Sequence, residues 1–103
     1  MKRKRFHMTP AAKADLVDIF EEIRYDRPMA AERVLAELRA AMRRLAQSPG
    51  MGHVREELTD NETLKFWPVY SFLIVYRFTA RPIEIIRVLH GKRDVRRILE
   101  RVI

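Results

Sequence analysis

The side chains of this sequence that could do chemistry are three histidines, two serines and a scatter of carboxylates, lysines and arginines. His7, His53 and His90 lie far apart. No pair has helical or short-loop ligand spacing, and no carboxylate beside them completes a ligand motif, so they predict ordinary surface or turn histidines and no metal. Ser48 and Ser71 sit outside any Gly-x-Ser-x-Gly elbow, which leaves a hydrolase triad without support. Gly50, Gly52 and Gly91 are the only glycines and form no phosphate-cradling loop. With no cysteine, disulfides, thiolate metal sites and a cysteine nucleophile are excluded. No cofactor is expected.

RNA cleavage is the chemistry for which the right types exist. It needs a base for the 2′-hydroxyl, an acid for the leaving oxygen and cations to hold the phosphate. His90, Glu57, Arg55, Lys65, Arg77, Arg87 and Arg93 supply these types. Any basic protein offers a similar list, and Arg77 and Arg87, on neighbouring strands, suit a plain solvent face equally well. A protein-binding surface is the other candidate. The apolar tail stripe Val95, Ile98, Leu99 and Val102 either folds back onto its own sheet or makes or fills a groove for a partner helix. Trp67, before Pro68, suits half-buried packing or an interface anchor.

The bulk numbers bound these options. The length of 103 residues predicts one domain, residues 1–103, with one core built from two layers. Hydrophobic residues make up 48% and charged residues 34%, too apolar and too regular for disorder. The start Met-Lys-Arg-Lys-Arg has no apolar run behind it, and the longest apolar stretch, from Phe72 to Tyr76, is far too short to span a bilayer. A cytoplasmic protein without membrane contact is expected. The formal charge of +7 and a sequence pI near 10.4 draw the surface toward polyanions: nucleic acid, ribosomes or an acidic protein.

The elements that must position these residues follow from the hydrophobic pattern. Residues 3–8 predict a first strand with its basic side chains toward solvent. Thr9 suits an N-cap and Pro10 the first helical position. Ala12, Leu16, Ile19, Phe20 and Ile23 fall at helical spacing, with Asp15, Asp18, Glu21 and Glu22 expected on the other face. That helix stops near Tyr25, because Pro28 disfavours helical geometry just before it. Pro28 opens a second helix with the stripe Ala31, Val34, Leu35, Leu38, Met42 and Leu45, closed by Ser48-Pro49-Gly50. So short a link makes the two an antiparallel hairpin. Strands are predicted over 63–67, 71–79 and 83–89, with Arg81-Pro82 turning the last hairpin and the 71–79 strand central. Gly91 breaks the pattern before a short amphipathic tail helix. The expected fold is α+β in two layers: an N-terminal strand, an antiparallel helical hairpin on an antiparallel β-sheet (β-α-α-β-β-β) and a short C-terminal helix.

An ordered set of features runs through nearly all of the chain. It comprises Thr9-Pro10-Ala11-Ala12 with Asp15-Leu16 and Ile19, Pro28 with Ala30-Ala31, and Leu45-Ala46 with Pro49 and Gly52. It continues with Arg55 and Glu57-Leu58, the strand Ile74-Val75-Tyr76-Arg77, and Val88-Leu89-His90-Gly91-Lys92-Arg93-Asp94. With this set the chain resembles the RelE/ParE toxins of type II toxin–antitoxin systems, most closely the ParE branch. The resemblance implies a cognate ParD-like antitoxin with a ribbon-helix-helix DNA-binding part, which wraps the toxin and is its only link to operator DNA. ParE-like toxins poison DNA gyrase, whereas RelE-like toxins cut messenger RNA on the ribosome. The RelE-like enzymes carry an arginine at the position of Leu73 and a tyrosine at that of Leu99, and leucine can neither hold a phosphate nor stack on a base. A second ribonuclease branch pairs a C-terminal histidine with an aromatic, but His90 is followed by Gly91.

The expectation is therefore a toxin that traps gyrase without bond chemistry of its own. Arg93, Arg96, Arg97, Lys65, Arg77 and Arg87 are the target-contact candidates, and Leu16, Phe20, Leu38, Trp67, Ile98 and Leu99 the antitoxin-contact candidates. One alternative is a ribosome-dependent endoribonuclease using Glu57, Lys65, His90 and Arg93. Another is a basic nucleic-acid-binding module, recognisable by salt-dependent affinity without an antitoxin.

Overall fold

The structure, a computed structural model, describes residues 5–102. Of the first strand expected over 3–8, residues 3 and 4 lie outside the described residues, and the strand β1 runs Phe6–Met8. Thr9 then caps α1 (Pro10–Asp26), its hydroxyl accepting from Ala12 N–H at 3.0 Å and Pro10 filling the first helical position. Arg27 alone separates α1 from α2 (Pro28–Gln47), which confirms the predicted hairpin. A single 3-10 turn, Pro49–Met51, follows α2. Strands β2 (Leu64–Val69), β3 (Phe72–Arg77) and β4 (Ile83–His90) form the meander, and α3 (Val95–Leu99) ends the described fold.

The sheet order is β1-β4-β3-β2. The meander is antiparallel as expected, but β1 pairs parallel to β4, Phe6 opposite Ile83 and Met8 opposite Ile85, so the sheet is mixed. The wholly antiparallel expectation came from the tight turns of the meander; β1 is not joined to β4 by any turn, so turn lengths could not orient it. Strand β2 also runs on through Pro68, opposite Leu73, which an edge strand tolerates because its outer N–H need not pair.

Both faces of the sheet are buried. The hairpin covers one with Leu16 and Ile19 of α1 and Leu38, Met42 and Leu45 of α2, against Ile74, Tyr76, Ile85 and Val88. On the reverse face Val95 and Leu99 of α3 close over Leu73, Val75, Ile86 and Leu89. This accounts for the unbroken apolar run of β3, whose residues 73 to 76 are all buried. The tail stripe therefore folds back onto its own sheet. A bulge resets the alternation of β4: Val75 faces Arg87 and Tyr76 faces Ile85, leaving Ile86 as the extra residue.

Two polar features correct the sequence reading. Asp15, expected on the outer face of α1, is buried at 8% exposure. Tyr76 is fully buried, its hydroxyl donating to the Pro49 carbonyl at 2.6 Å and accepting from Gly52 N–H at 2.9 Å. It ties the end of the hairpin to the central strand. A Cβ on Gly52 would lie 2.5 Å from the Tyr76 hydroxyl oxygen, so glycine is needed here for space and not for its backbone freedom. Burial pushes the Tyr76 phenol above its ordinary value of 10.0, opposed in part by the Gly52 N–H.

Tyr76→Phe leaves a buried N–H and a part-buried carbonyl short of a partner and should cost about 1–3 kcal/mol in urea unfolding. The folded chain holds the phenol proton more tightly than the unfolded chain does. Its contribution is therefore whole below the unfolded value and is lost as pH rises through the folded one. The gap between wild type and Tyr76→Phe should stay constant up to about pH 9 and narrow as pH rises past about 10; a gap that widens there would contradict the assignment. Gly52→Ala should destabilise by about 1–3 kcal/mol, because Tyr76 must shift.

Candidate functional site

The site begins with Asp15. Strand β1 pairs only as far as Ile85, so the outer edge of β4 beyond it has no strand neighbour. The start of α1 supplies the missing partners. Thr9 N–H donates to the Ile85 carbonyl at 3.0 Å, and its hydroxyl donates to the Ile86 carbonyl at 2.7 Å. The Asp15 carboxylate accepts Val88 N–H at 2.9 Å. The same carboxylate takes a two-pronged contact from Arg87, Nε at 2.8 Å and Nη2 at 2.9 Å. This contact raises the Arg87 pKa above its ordinary value, against the effect of burial.

Arg87 lies on the wall of a cleft of about 800 Å³ between the start of α1 and the tail. Arg93, Arg97 and Arg101, spaced by four, join it, with Ile86, Ile98 and Val102 as the apolar lining; among the described residues no carboxylate lines the cleft. The tail is held in place by Val95 and Leu99 and capped by Asp94, whose side chain accepts from Arg97 N–H at 3.2 Å. Among the described residues Arg93, Arg97 and Arg101 have no carboxylate partner. A second cleft, about 860 Å³, lies between the hairpin and the ends of β3 and β4, where Asp18, Glu22 and Asp26 face His90, Lys92 and Arg93.

The remaining candidates are dispersed. Arg77 contacts Glu84 at 3.3 Å and also donates to Thr63. Arg96 bridges α3 to the loop before β2, holding Asp60 at 2.9 Å and the Glu56 carbonyl at 3.2 Å, and Asp60 raises its pKa. Lys65 places its ammonium 4.9 Å from the centre of the Phe78 ring. Glu57 is exposed and pairs with Arg55 at 2.9 Å, whose hydrogen bond holds its carboxyl below the usual carboxylate value. His90 meets the Phe72 ring edge-on at 5.5 Å, and His53 stacks on Trp67 at 5.7 Å.

Of the four side chains of the endoribonuclease alternative, His90 and Arg93 share the second cleft, and Glu57 and Lys65 line neither. Lys65 pairs with Tyr76, which pairs with Ile85. Strand geometry then sets Lys65 roughly 15 Å along and roughly 10 Å across the sheet from His90. Of the residues considered for partner contact, Leu16, Leu38 and Leu99 are buried in the chain's own core, whereas Phe20, Trp67 and Ile98 keep part of their surface. Regular apolar spacing marks what the fold itself buries before it marks what a partner could reach.

Sequence reasoning missed Asp15 and Arg101. Asp15 lies three residues after Ala12 and four before Ile19, on the buried stripe, and a carboxylate there signals a buried partner. Arg101 continues the spacing of Arg93 and Arg97. Among the described residues no three His, Asp or Glu side chains gather as a metal site, and no helix is long and apolar enough to cross a membrane.

Fold and surface together define a small basic α+β domain with an arginine-lined cleft that suits an anionic partner. The family model described as "ParE toxin of type II toxin-antitoxin system, parDE" matches residues 6–95. The chain belongs to this family of ParE toxins. It is 35% identical over 98 residues to Toxin ParE1 of Mycobacterium tuberculosis, covering 92% of this chain and 97% of that one. It is 36% identical over 95 residues to Toxin ParE1 of Caulobacter vibrioides, covering 90% and 95%. A solved chain described as "Chromosomal ParDE TA system from P. aeruginosa" shares the fold, with a TM-score of 0.70 at 19% identity over 85% of this chain and 96% of that one.

Asp15→Ala strands Arg87 and the Val88 N–H together and should cost about 2–4 kcal/mol in chemical denaturation. Adding Arg87→Met should recover part of that loss, since the stranded charge goes with it. Strict additivity of the two changes would refute the coupling.

Proposed function

We propose that this toxin arrests DNA gyrase by binding it, without bond chemistry of its own, and that a ParD-like antitoxin neutralises it in the cytoplasm. The observation that carries the non-catalytic part is the packing of Leu73 and Leu99. Both are buried, at 7% and 3% exposure, in one apolar cluster on the reverse face of the sheet. These are the positions at which the RelE-like enzymes that the chain resembles carry a phosphate-holding arginine and a base-stacking tyrosine. Here they hold the tail in place. The separation of Lys65 from His90 supports the same reading, since an acid and a base must both reach one phosphodiester.

The gyrase target is inherited from the family resemblance and fits the surface. Arg93 and Arg97 are exposed and free of carboxylate partners among the described residues, which makes them the leading contacts. Arg77, Arg87 and Arg96 are each tied to a carboxylate and add positive field, as does Lys65. The antitoxin would bring acidic groups to this basic surface and, as the family's antitoxins do, a ribbon-helix-helix part for operator DNA.

The test is purified gyrase in supercoiling and cleavage-complex assays, run beside ribosome-dependent mRNA cleavage. Lost supercoiling or trapped broken DNA with intact mRNA is expected, and Arg93→Ala should weaken inhibition roughly tenfold. Cut mRNA with normal gyrase activity would overturn the reading in favour of the ribonuclease.

A further inference from the structure

We infer that the end of the molecule away from the hairpin tip, where the last turns of α2 meet the β3–β4 turn, holds the phosphodiester backbone of duplex DNA, so that the toxin grips the DNA that gyrase carries as well as the enzyme. The contact is read from the cations alone; its part in arrest rests on the gyrase reading.

Three observations carry it. The first is a hollow of about 200 Å³ lined by Arg5, Ala46, Pro49, Arg81, Pro82 and Ile83. Both arginines are exposed, and among the described residues no carboxylate lines the hollow. Arg81 Nη1 donates to the Phe78 carbonyl at 2.6 Å and to the Ala80 carbonyl at 2.8 Å. Its guanidinium is thereby oriented before a ligand arrives, and Nε and Nη2 have no hydrogen-bond partner among the described residues.

The second is a row of charge on α2. From Leu38 to Gln47 its only charged residues are Arg39, Arg43 and Arg44. Arg39 and Arg43 are exposed and stand one turn, about 6 Å, apart, and Arg43 is one turn from Ala46 in the wall of the hollow. Among the described residues none of Arg5, Arg39, Arg43 and Arg81 has a carboxylate partner. The row therefore leads into the hollow as one track of unpaired cations.

The third is the rest of the lining. Ala46 and Ile83 are already buried, at 4% and 1% exposure, so the two prolines are all the apolar surface the hollow offers an amphipathic peptide. No aromatic ring lines it, which leaves unstacked bases without a platform. Its volume suits a single phosphate group and not an organic cofactor. Cations without an apolar floor or a stacking surface fit a duplex backbone, held without regard to sequence and so apart from operator recognition.

The experiment titrates the full chain, freed of antitoxin, against a fluorescein-labelled DNA duplex of about 20 base pairs, between about 50 and about 200 mM salt. Anisotropy should report a Kd on the order of 1–100 μM near physiological salt. Arg43→Ala/Arg81→Ala should weaken binding about tenfold and lower the log–log salt slope by about 2, one for each phosphate contact removed. Arg97→Ala/Arg101→Ala, at the tail, should change affinity less than about threefold. Thermal melting reports whether each variant folds. Arg39→Ala/Arg43→Ala leaves the β3–β4 turn intact and takes the place of the first pair if loss of Arg81 unfolds it.

No binding at the lowest salt, or equal effects of the α2 and tail pairs, would overturn the site. Tighter binding to duplex RNA or to a single strand of the same length would overturn the assignment to duplex DNA. With gyrase, the Arg43→Ala/Arg81→Ala toxin should still co-purify with the enzyme but trap about tenfold less broken DNA, in step with the lost affinity. Undiminished trapping would overturn the role in arrest. Duplex binding by a wild-type toxin that leaves gyrase untouched would uphold the contact and strike the gyrase reading instead.

Discussion

The Asp15 carboxylate is the contact on which the rest of this molecule is hung. A strand edge with unpaired N–H groups is costly when buried and sticky when exposed. Strand β1 is only three residues long and covers the outer edge of β4 as far as Ile85. Beyond it, α1 takes over with side chains, Thr9 meeting the Ile86 carbonyl and Asp15 the Val88 N–H. These contacts fix α1 in register on β4, and the register decides where Leu16 and Ile19 enter the core. They also fix Arg87, because the carboxylate that caps the edge is the one that grips the guanidinium.

The bulge at Ile86 belongs to the same arrangement. Without the extra residue, strict alternation would set Ile83, Ile85 and Leu89 on one face and Ile86 and Val88 on the other. With it, Val88 turns toward the hairpin while Ile86 and Leu89 turn toward the tail. The second core lies under a helix of only five residues, too short to be stable alone. Its order comes from burying Val95 and Leu99, and the arginines spaced by four around it are displayed only because those two anchors hold. The basic surface is thus a consequence of the apolar one.

Local signals made most of the architecture legible. Thr9-Pro10 and Pro28 marked both helix starts, the apolar run of β3 marked the central strand, and the tail stripe marked α3. Pairings between distant segments were not legible. The parallel placement of β1 and the Asp15–Arg87 contact join residues more than 70 positions apart, and no spacing rule reaches that far. Asp15 was misread for a specific reason: polar character was weighed above position, although its place between Ala12 and Ile19 was the buried one. The leucines offered to a partner show the converse error, since periodicity cannot say whether a stripe is buried within the chain or against another one.

The catalytic question turns on position in the same way. A list containing histidine, lysine, arginine and glutamate describes most basic proteins, and such a list becomes an active site only where the chain brings its members to one atom. Here the sheet register holds Lys65 and His90 apart. The two positions that could have rebuilt the chemistry of the RelE-like enzymes are occupied by leucines that clamp the tail. A guanidinium at position 73 would have to lie beneath Leu99 without a carboxylate in that apolar cluster, at a cost of several kcal/mol. The packing that orders the tail is therefore incompatible with the catalytic arginine. On the binding mode proposed above, a chain that keeps such a tail presents an arginine surface in place of a phosphate-cleaving site, and its potency would come from how tightly that surface binds.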